Sequence, residues 1–267
     1  VYHGDRDRLA AFARRWLHGM ATLLINTFFY RSSRVRYPDL DRENFARPAV
    51  LVANHQAAFD IMCLLSLPCD MVMVVKKWVW DAPGIGWLAR DAKFILGEGE
   101  GSAADVLEQG KQHLAAGRIV TIFAEGTRSR DGAVHRFRSG AFELALQAGV
   151  DVLPVRLTGS QWCTPRGRLD IGDFDVSVHV LPRVSTVTFD KTDPTARIEL
   201  GRRVRRDIEA GFTADDRTGQ SGPSVWRRVA ALYRYQGPYV EMYLASKLRF
   251  DSIYKAIDAL VPAEGLV

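Results

Sequence analysis

The stretch "NHQAAFD", residues 54–60, sets His55 and Asp60 five residues apart at the end of the apolar run "AVLVA". A carboxylate that reaches an imidazole fixes its tautomer and partners the imidazolium it becomes, which is what a general base needs. The pair alone is a weak signal. With six histidines and 21 aspartates in 267 residues, one such spacing arises by chance in roughly four chains of ten. A second cluster, "FAEGTRSRDG" at 123–132, follows the apolar run "IVTIF" and precedes the basic stretch "HRFRSGAF". Glycine lets backbone amides approach an anion closely, and Arg128 offers a planar fork for phosphate. Any one of Arg128, Arg130, Arg136 or Arg138 reads by default as a solvated surface arginine. An acid, a glycine, a threonine and an arginine together at one strand end point instead to an anion site. The sequence contains no GxSxG elbow, GxxxxGK[ST] loop or HExxH motif, and neither Ser nor Cys stands beside His55. The pattern fits a histidine that activates the substrate's own hydroxyl, with direct transfer and no covalent enzyme intermediate.

These residues need elements to hold them. From Pro48 to about Ile198, apolar runs alternate with helical patterns. Strands are expected at 49–53, 71–75, 93–96, 119–123 and 151–157. "VSVHVLP" (176–182) alternates and reads as a half-exposed edge strand. Helices are expected through "IMCLLSL", over 102–116 with a Ser102–Asp105 capping box and a stop at Gly117, and over 141–148 with a stop at Gly149. Buried strands interleaved with helices predict an α/β fold with a mostly parallel central sheet flanked by helices. Ligands bind such sheets at the carboxyl ends of the strands, which is where His55 falls.

The chain is long enough for one sizeable core, and its formal net charge of +5 suits anionic partners without choosing among them. Cys63, Cys69 and Cys163 lack CxxC spacing, which argues against a disulfide framework or a zinc site and suits a reducing compartment. The basic residues are scattered and no nucleic-acid-binding motif occurs, so nucleic acid is not expected as a partner. "WLHGMATLLINTFF" (16–29), flanked by Arg14, Arg15, Arg31, Arg34 and Arg36, reads equally well as an interfacial membrane helix or as a helix packed on the protein's own core. No stretch reaches 18 consecutive apolar residues. The organisation expected is a helical segment at 1–34, a main domain at 35–212, a polar linker at 213–224 and a helical tail at 225–267.

"NHQAAFD" resembles the NHxxxxD motif of the glycerolipid acyltransferases, the family that includes 1-acylglycerol-3-phosphate acyltransferase. "FAEGTRS" resembles that family's F-P-E-G-T-R-S block, with Ala124 in place of proline. "KKWVWDAPGIGWLAR" (76–90) and "VLPVRLTGS" (152–160) resemble the intervening and last blocks, in the family's order. The resemblance implies transfer of an acyl group from acyl-CoA or acyl-carrier protein to a lipid hydroxyl, at the cytoplasmic face of a membrane. The thioester is a co-substrate, and no cofactor or metal is implied. His55 would be the base and Asp60 its orienting partner. Glu125, Gly126, Thr127 and Arg128 would form the acceptor's phosphate and glycerol site, with Lys76 or Lys77 nearby.

Two departures from the family pattern bear on the acceptor. Trp78 stands where a carboxylate usually follows the leading lysine, and "FI" at 94–95 runs into "LGEGEG" rather than an acidic–basic pair. A lyso-aminolipid, glycolipid or specialised lipid acceptor is therefore a second expectation. A non-catalytic membrane-binding module is a third. The tail "YRYQGPYVEMYLASKLRFDSIYKAIDALVPAEG" resembles the lead-in to a methyltransferase-like domain in some fused bacterial acyltransferases.

Overall fold

The computed structural model of the protein describes residues 3–27, 35–98, 102–129, 133–160, 176–218, 239–240 and 242–243. Seven strands form one sheet in the order β1-β7-β6-β2-β5-β3-β4. They are β1 (Val35–Arg36), β2 (Ala49–Ala53), β3 (Met71–Val75), β4 (Ile95–Leu96), β5 (Ile119–Phe123), β6 (Asp151–Thr158) and β7 (Val176–Val180). Every pairing is parallel except β6 with β7. The α/β expectation therefore holds. β2 and β5 are central because they are short, predominantly apolar runs that tolerate burial on both faces, and all five residues of β2 are buried.

The helices are α1 (His3–Thr27), α2 (Phe59–Leu65), α3 (Lys77–Asp81), α4 (Ile85–Asp91), α5 (Ser102–Ala115), α6 (Gly140–Ala148) and α7 (Ala196–Thr218). The chain moves one way across the sheet from β2 to β3 to β4 and the other way from β4 to β5 to β6. Right-handed crossovers then put α2 and α4 on one face and α5 and α6 on the other. α1 packs on α2 and α4, while α7 packs on β6 and α6. The two sheet faces are thus covered by different helix sets, and the strands' carboxyl ends stay open between them.

Two expectations change. "VSVHV" alternates as expected, but β7 is not the edge strand, because the two-residue β1 pairs outside it. The N-terminal helix runs from His3 to Thr27, inside the helical segment expected at 1–34 and well before the apolar run that starts at Trp16. Its first half escapes a hydrophobicity reading because its buried stripe contains Ala10, Ala13 and Arg14, and the Arg14 guanidinium is buried against Asp70. The stretch expected as a linker from residue 213 begins inside α7, which runs to Thr218. Residues 219–224 and nearly all of the tail lie outside the described residues, as does Cys163. Cys63 is buried, and burial beside Asp70 pushes the Cys69 thiol up to about 12, so both are inert thiols.

Candidate active site

β2 ends at Ala53, and the next five residues turn into α2. Asn54 fixes that turn to the neighbouring strand: its side-chain amide donates to the Leu157 carbonyl at 2.8 Å, and its carbonyl accepts the Leu157 N–H at 2.8 Å. His55 follows, with its side chain 14% exposed. Its ring stacks on Phe123, the last residue of β5, at 3.9 Å between centroids and 18° between planes. Nδ1 lies 2.8 Å from Asp60 Oδ2. Since a carboxylate oxygen only accepts, this places the proton on Nδ1 and leaves Nε2 as the basic nitrogen. Asp60 is the second residue of α2. It is fully buried, and the same Oδ2 also accepts the backbone N–H groups of Gln56 at 2.6 Å and Ala57 at 2.8 Å. The carboxylate thus holds both the imidazole and the peptide turn that carries it.

The loop after β5 meets this turn from one strand away. Glu125 is buried, and its two oxygens accept the backbone N–H of His55 at 2.9 Å and of His135 at 3.3 Å. Ser129 N–H donates to the His55 carbonyl at 2.7 Å, so the His55 peptide is clamped on both sides. Glu125 was expected among the acceptor's ligands. Its two oxygens are turned to these backbone amides. Gly126 sits at φ +72°, and a Cβ there would lie 2.7 Å from Arg138 Nε. Glycine is therefore required twice, for the backbone turn and for the guanidinium lying across it. Thr127 is exposed and Arg128 half-buried, and Arg128 makes no hydrogen bond or ion pair among the described residues. Lys76 follows β3, two strands and roughly 10 Å from β2. It lies 3.6 Å from Glu98 Oε1, while Lys77 pairs with Asp81 at 2.6 Å.

The structure therefore brings His55, Asp60 and the 125–128 loop into one connected unit, with Lys76 at the outer end of the same sheet edge. Two contributors were not legible. Phe123 and Asn54 act through partners 68 and 103 residues away in sequence, and no local signal marks them. α7 was missed although Ala196, Leu200, Val204 and Ile208, all buried, repeat every four residues; that spacing was available.

Burial pushes the Glu125 carboxyl above its usual 4.5, against the pull of the two amides it accepts. With its folded value raised, the folded state keeps a proton that the unfolded chain has already lost, so this group's contribution falls as pH rises from about 4.5 through the raised value. Glu125→Gln lacks this titration. Denaturant midpoints over about pH 4–8 are expected to show the parent's advantage over the variant shrinking with rising pH in that window; parallel profiles would refute the assignment.

Residues 34–158 match the sequence profile of the family described as "Acyltransferase". Over 178 residues the chain is 32% identical to 1-acyl-sn-glycerol-3-phosphate acyltransferase LPAT1, chloroplastic, of Arabidopsis thaliana, covering 63% of this chain and 49% of that protein. Over 184 residues it is 32% identical to 1-acyl-sn-glycerol-3-phosphate acyltransferase alpha of Homo sapiens, covering 66% of this chain and 63% of that protein. The chain thus spans between about half and just under two thirds of the length of these relatives. The fold is shared with the crystal structure of the 1-acyl-sn-glycerophosphate acyltransferase PlsC from Thermotoga maritima, at a TM-score of 0.62 and 24% identity, over 77% of this chain and 82% of that one.

Proposed function

We propose, on the footing that residues 34–158 are an acyltransferase-family domain, that the protein moves a fatty acyl group from acyl-CoA or acyl-carrier protein to the hydroxyl of a lysophospholipid of the 1-acylglycerol-3-phosphate type. The observation that carries this is the 2.8 Å contact between His55 Nδ1 and the buried Asp60. His55 Nε2 takes the proton from the acceptor hydroxyl as its oxygen attacks the thioester carbonyl. The C–O bond forms, the C–S bond breaks, and the proton passes to the leaving sulfur, giving an ester and a free thiol. A placed base contributes about 10²–10⁴-fold; holding acceptor and donor together at the sheet edge supplies a large part of the remainder. Arg128, with no partner among the described residues and set in the loop that meets the His55 turn, is a cation free to take the acceptor's phosphate.

The acceptor is a lipid, and α1 supports a membrane-associated reading. Its buried stripe packs on the core, while Leu9, Phe12, Trp16 and Leu23 stay exposed on its outer side. No described helix is long and apolar enough to cross a membrane. An apolar stripe on a helix lying along the surface suits interfacial docking at the cytoplasmic leaflet, in a reducing compartment.

One observation favours a second acceptor class. Glu98 lies 3.6 Å from Lys76 and accepts the Lys77 N–H at 3.1 Å, so a carboxylate competes for Lys76, the second cation that a phosphomonoester would draw on beside Arg128. A lyso-aminolipid or glycolipid avoids that competition. Both readings are tested together with palmitoyl-CoA and anionic vesicles carrying lysophosphatidic acid, a lyso-aminolipid or a lysoglycolipid. Thiol release, the mass of the acylated product and the vesicle-bound fraction are measured for the parent and for Glu98→Gln. Acylation of lysophosphatidic acid that rises further in Glu98→Gln supports the phosphate acceptor. Product formed only from an uncharged or amino-lipid acceptor transfers the assignment to the second class. Absence of product with every acceptor, from palmitoyl-CoA and from palmitoyl-acyl-carrier protein run in parallel, overturns both.

A further inference from the structure

Beside the candidate active site, on the face covered by α6 and α7, lies a groove of ≈ 850 Å³ with five arginines in its walls. Arg136 and Arg138 come from the segment that follows the 125–128 loop, and Arg197, Arg202 and Arg205 come from α7. Glu125 also lines it, so one end of the groove abuts the carboxylate that holds His55. The floor is formed by Phe142 and by Gly201, where a Cβ would come 2.9 Å from the Phe142 ring; this close crossing lets α7 lie against α6 and aim its arginines into the groove.

The charges are only partly matched from within. Arg197 pairs with Glu143 at 3.0 Å, and Arg205 pairs with Glu209 at 3.1 Å and donates to the Val134 carbonyl at 3.3 Å. Arg205 Nε is buried without a partner among the described residues. The side chains of Arg136, Arg138 and Arg202 make no ion pair or hydrogen bond there either. Arginine keeps its charge under all ordinary conditions and its fork fits phosphate oxygens two at a time. A cluster of this size, concave and with an apolar floor, fits a ligand bearing several phosphates on a compact flat body rather than one phosphomonoester.

From this placement we infer that the groove holds the phosphates of the CoA carrier of the acyl donor, its pyrophosphate and its 3′-phosphate. This rests on the thioester-donor reading above and deepens it, because that reading leaves CoA and carrier protein as equal donors. The position of the groove supports a water-soluble occupant. The exposed apolar stripe of α1 is on the α2/α4 face of the sheet, whereas the groove is on the α6/α7 face. A bilayer under α1 therefore brings the lipid acceptor to one face and leaves the arginine groove open to solution. The donor's long pantetheine arm then spans from the groove to the sheet edge at His55.

The test is calorimetric titration of CoA and of 3′-dephospho-CoA into the protein and into its Arg138→Gln/Arg202→Gln form. Both side chains are exposed, and thermal melts together with the charge-retaining Arg138→Lys/Arg202→Lys form report on folding. Loss of two charge-assisted contacts is expected to weaken CoA binding at least about tenfold, with the lysine form recovering part of it. The parent is expected to bind CoA more tightly than dephospho-CoA, and the Gln form is expected to narrow that gap. CoA affinity that is unchanged in the Gln form overturns the inference. So does a loss confined to lysophosphatidic acid micelles, which would make the groove part of the acceptor's site, or a loss confined to acyl-carrier protein. Binding of CoA needs no turnover, so a protein that binds CoA through these arginines yet acylates nothing would refute the proposed function alone. Acyl transfer from acyl-CoA with an unaltered KM for the donor in the Gln form would refute the groove alone.

Discussion

Replacing His55 with alanine is expected to lower acyl transfer by about 10²–10⁴-fold, the range a positioned base contributes. The expectation depends on the loss being chemical rather than structural, and the local contacts support that. The His55 peptide is held by Glu125 on its N–H and by Ser129 on its carbonyl, neither of which involves the imidazole. The side chain is packed mainly on Phe123, and Asp60 keeps the two amide donors of Gln56 and Ala57 when the ring is gone. The stability cost is therefore expected to be about 1–3 kcal/mol, the scale of one lost hydrogen bond at a buried charge. Thiol release and product mass, measured well below the melting temperature of both forms, read the effect on turnover. A variant that keeps a tenth or more of the parent's rate would remove His55 from the role of base.

Asp60→Asn is expected to be the second-largest loss, and it separates orientation from charge. Asparagine is close in shape, and its carbonyl can still accept from His55 and from the amides of Gln56 and Ala57. The orientation of the ring is thus retained. What disappears is the negative charge beside an imidazole that becomes cationic as it takes the proton. For charges about 4 Å apart at an effective dielectric constant near 20, that interaction is about 4 kcal/mol, so a loss of up to roughly a thousandfold in turnover is the upper scale. The variant also places an NH₂ where Asp60 Oδ1 is buried without a partner among the described residues, which adds a stability cost of about 1–3 kcal/mol. The two effects have different signatures. A rate loss with the melting temperature little changed supports the electrostatic role, whereas a rate that follows the folded fraction makes Asp60 only a structural tie. If Asp60→Asn retains nearly full turnover, the imidazolium needs no charged partner and the dyad assignment fails.

The sequence by itself determined the parts of this protein that depend on neighbours in the chain. β2, β3 and β5 were legible because parallel central strands are nearly continuous apolar runs, with Thr121 the one polar residue among the three. α6 was bounded by its spacing and by Gly149, and His55 and Asp60 were legible as a pair because five residues bring them together across one turn. The Glu-Gly-Thr-Arg cluster was visible for the same reason.

What only the tertiary structure decided is which of these local pieces touch. Nothing around Glu125 says that its carboxylate turns inward to the amides of His55 and His135, because that depends on β5 lying beside β2, a pairing across 70 residues. Phe123 under the imidazole follows from the same neighbour relation, and Asn54 gains its partner only because β6 lies on the other side of β2. Lys76 is an unpaired cation in the sequence and a partner of Glu98 in the fold, since β4 lies against β3. The five arginines of the groove come from segments about 60 residues apart, and only the crossing of α7 over Phe142 makes one surface of them. Local pattern reports how each segment is buried; strand order and helix packing decide what each buried or charged group meets, and that information is distributed over the whole chain.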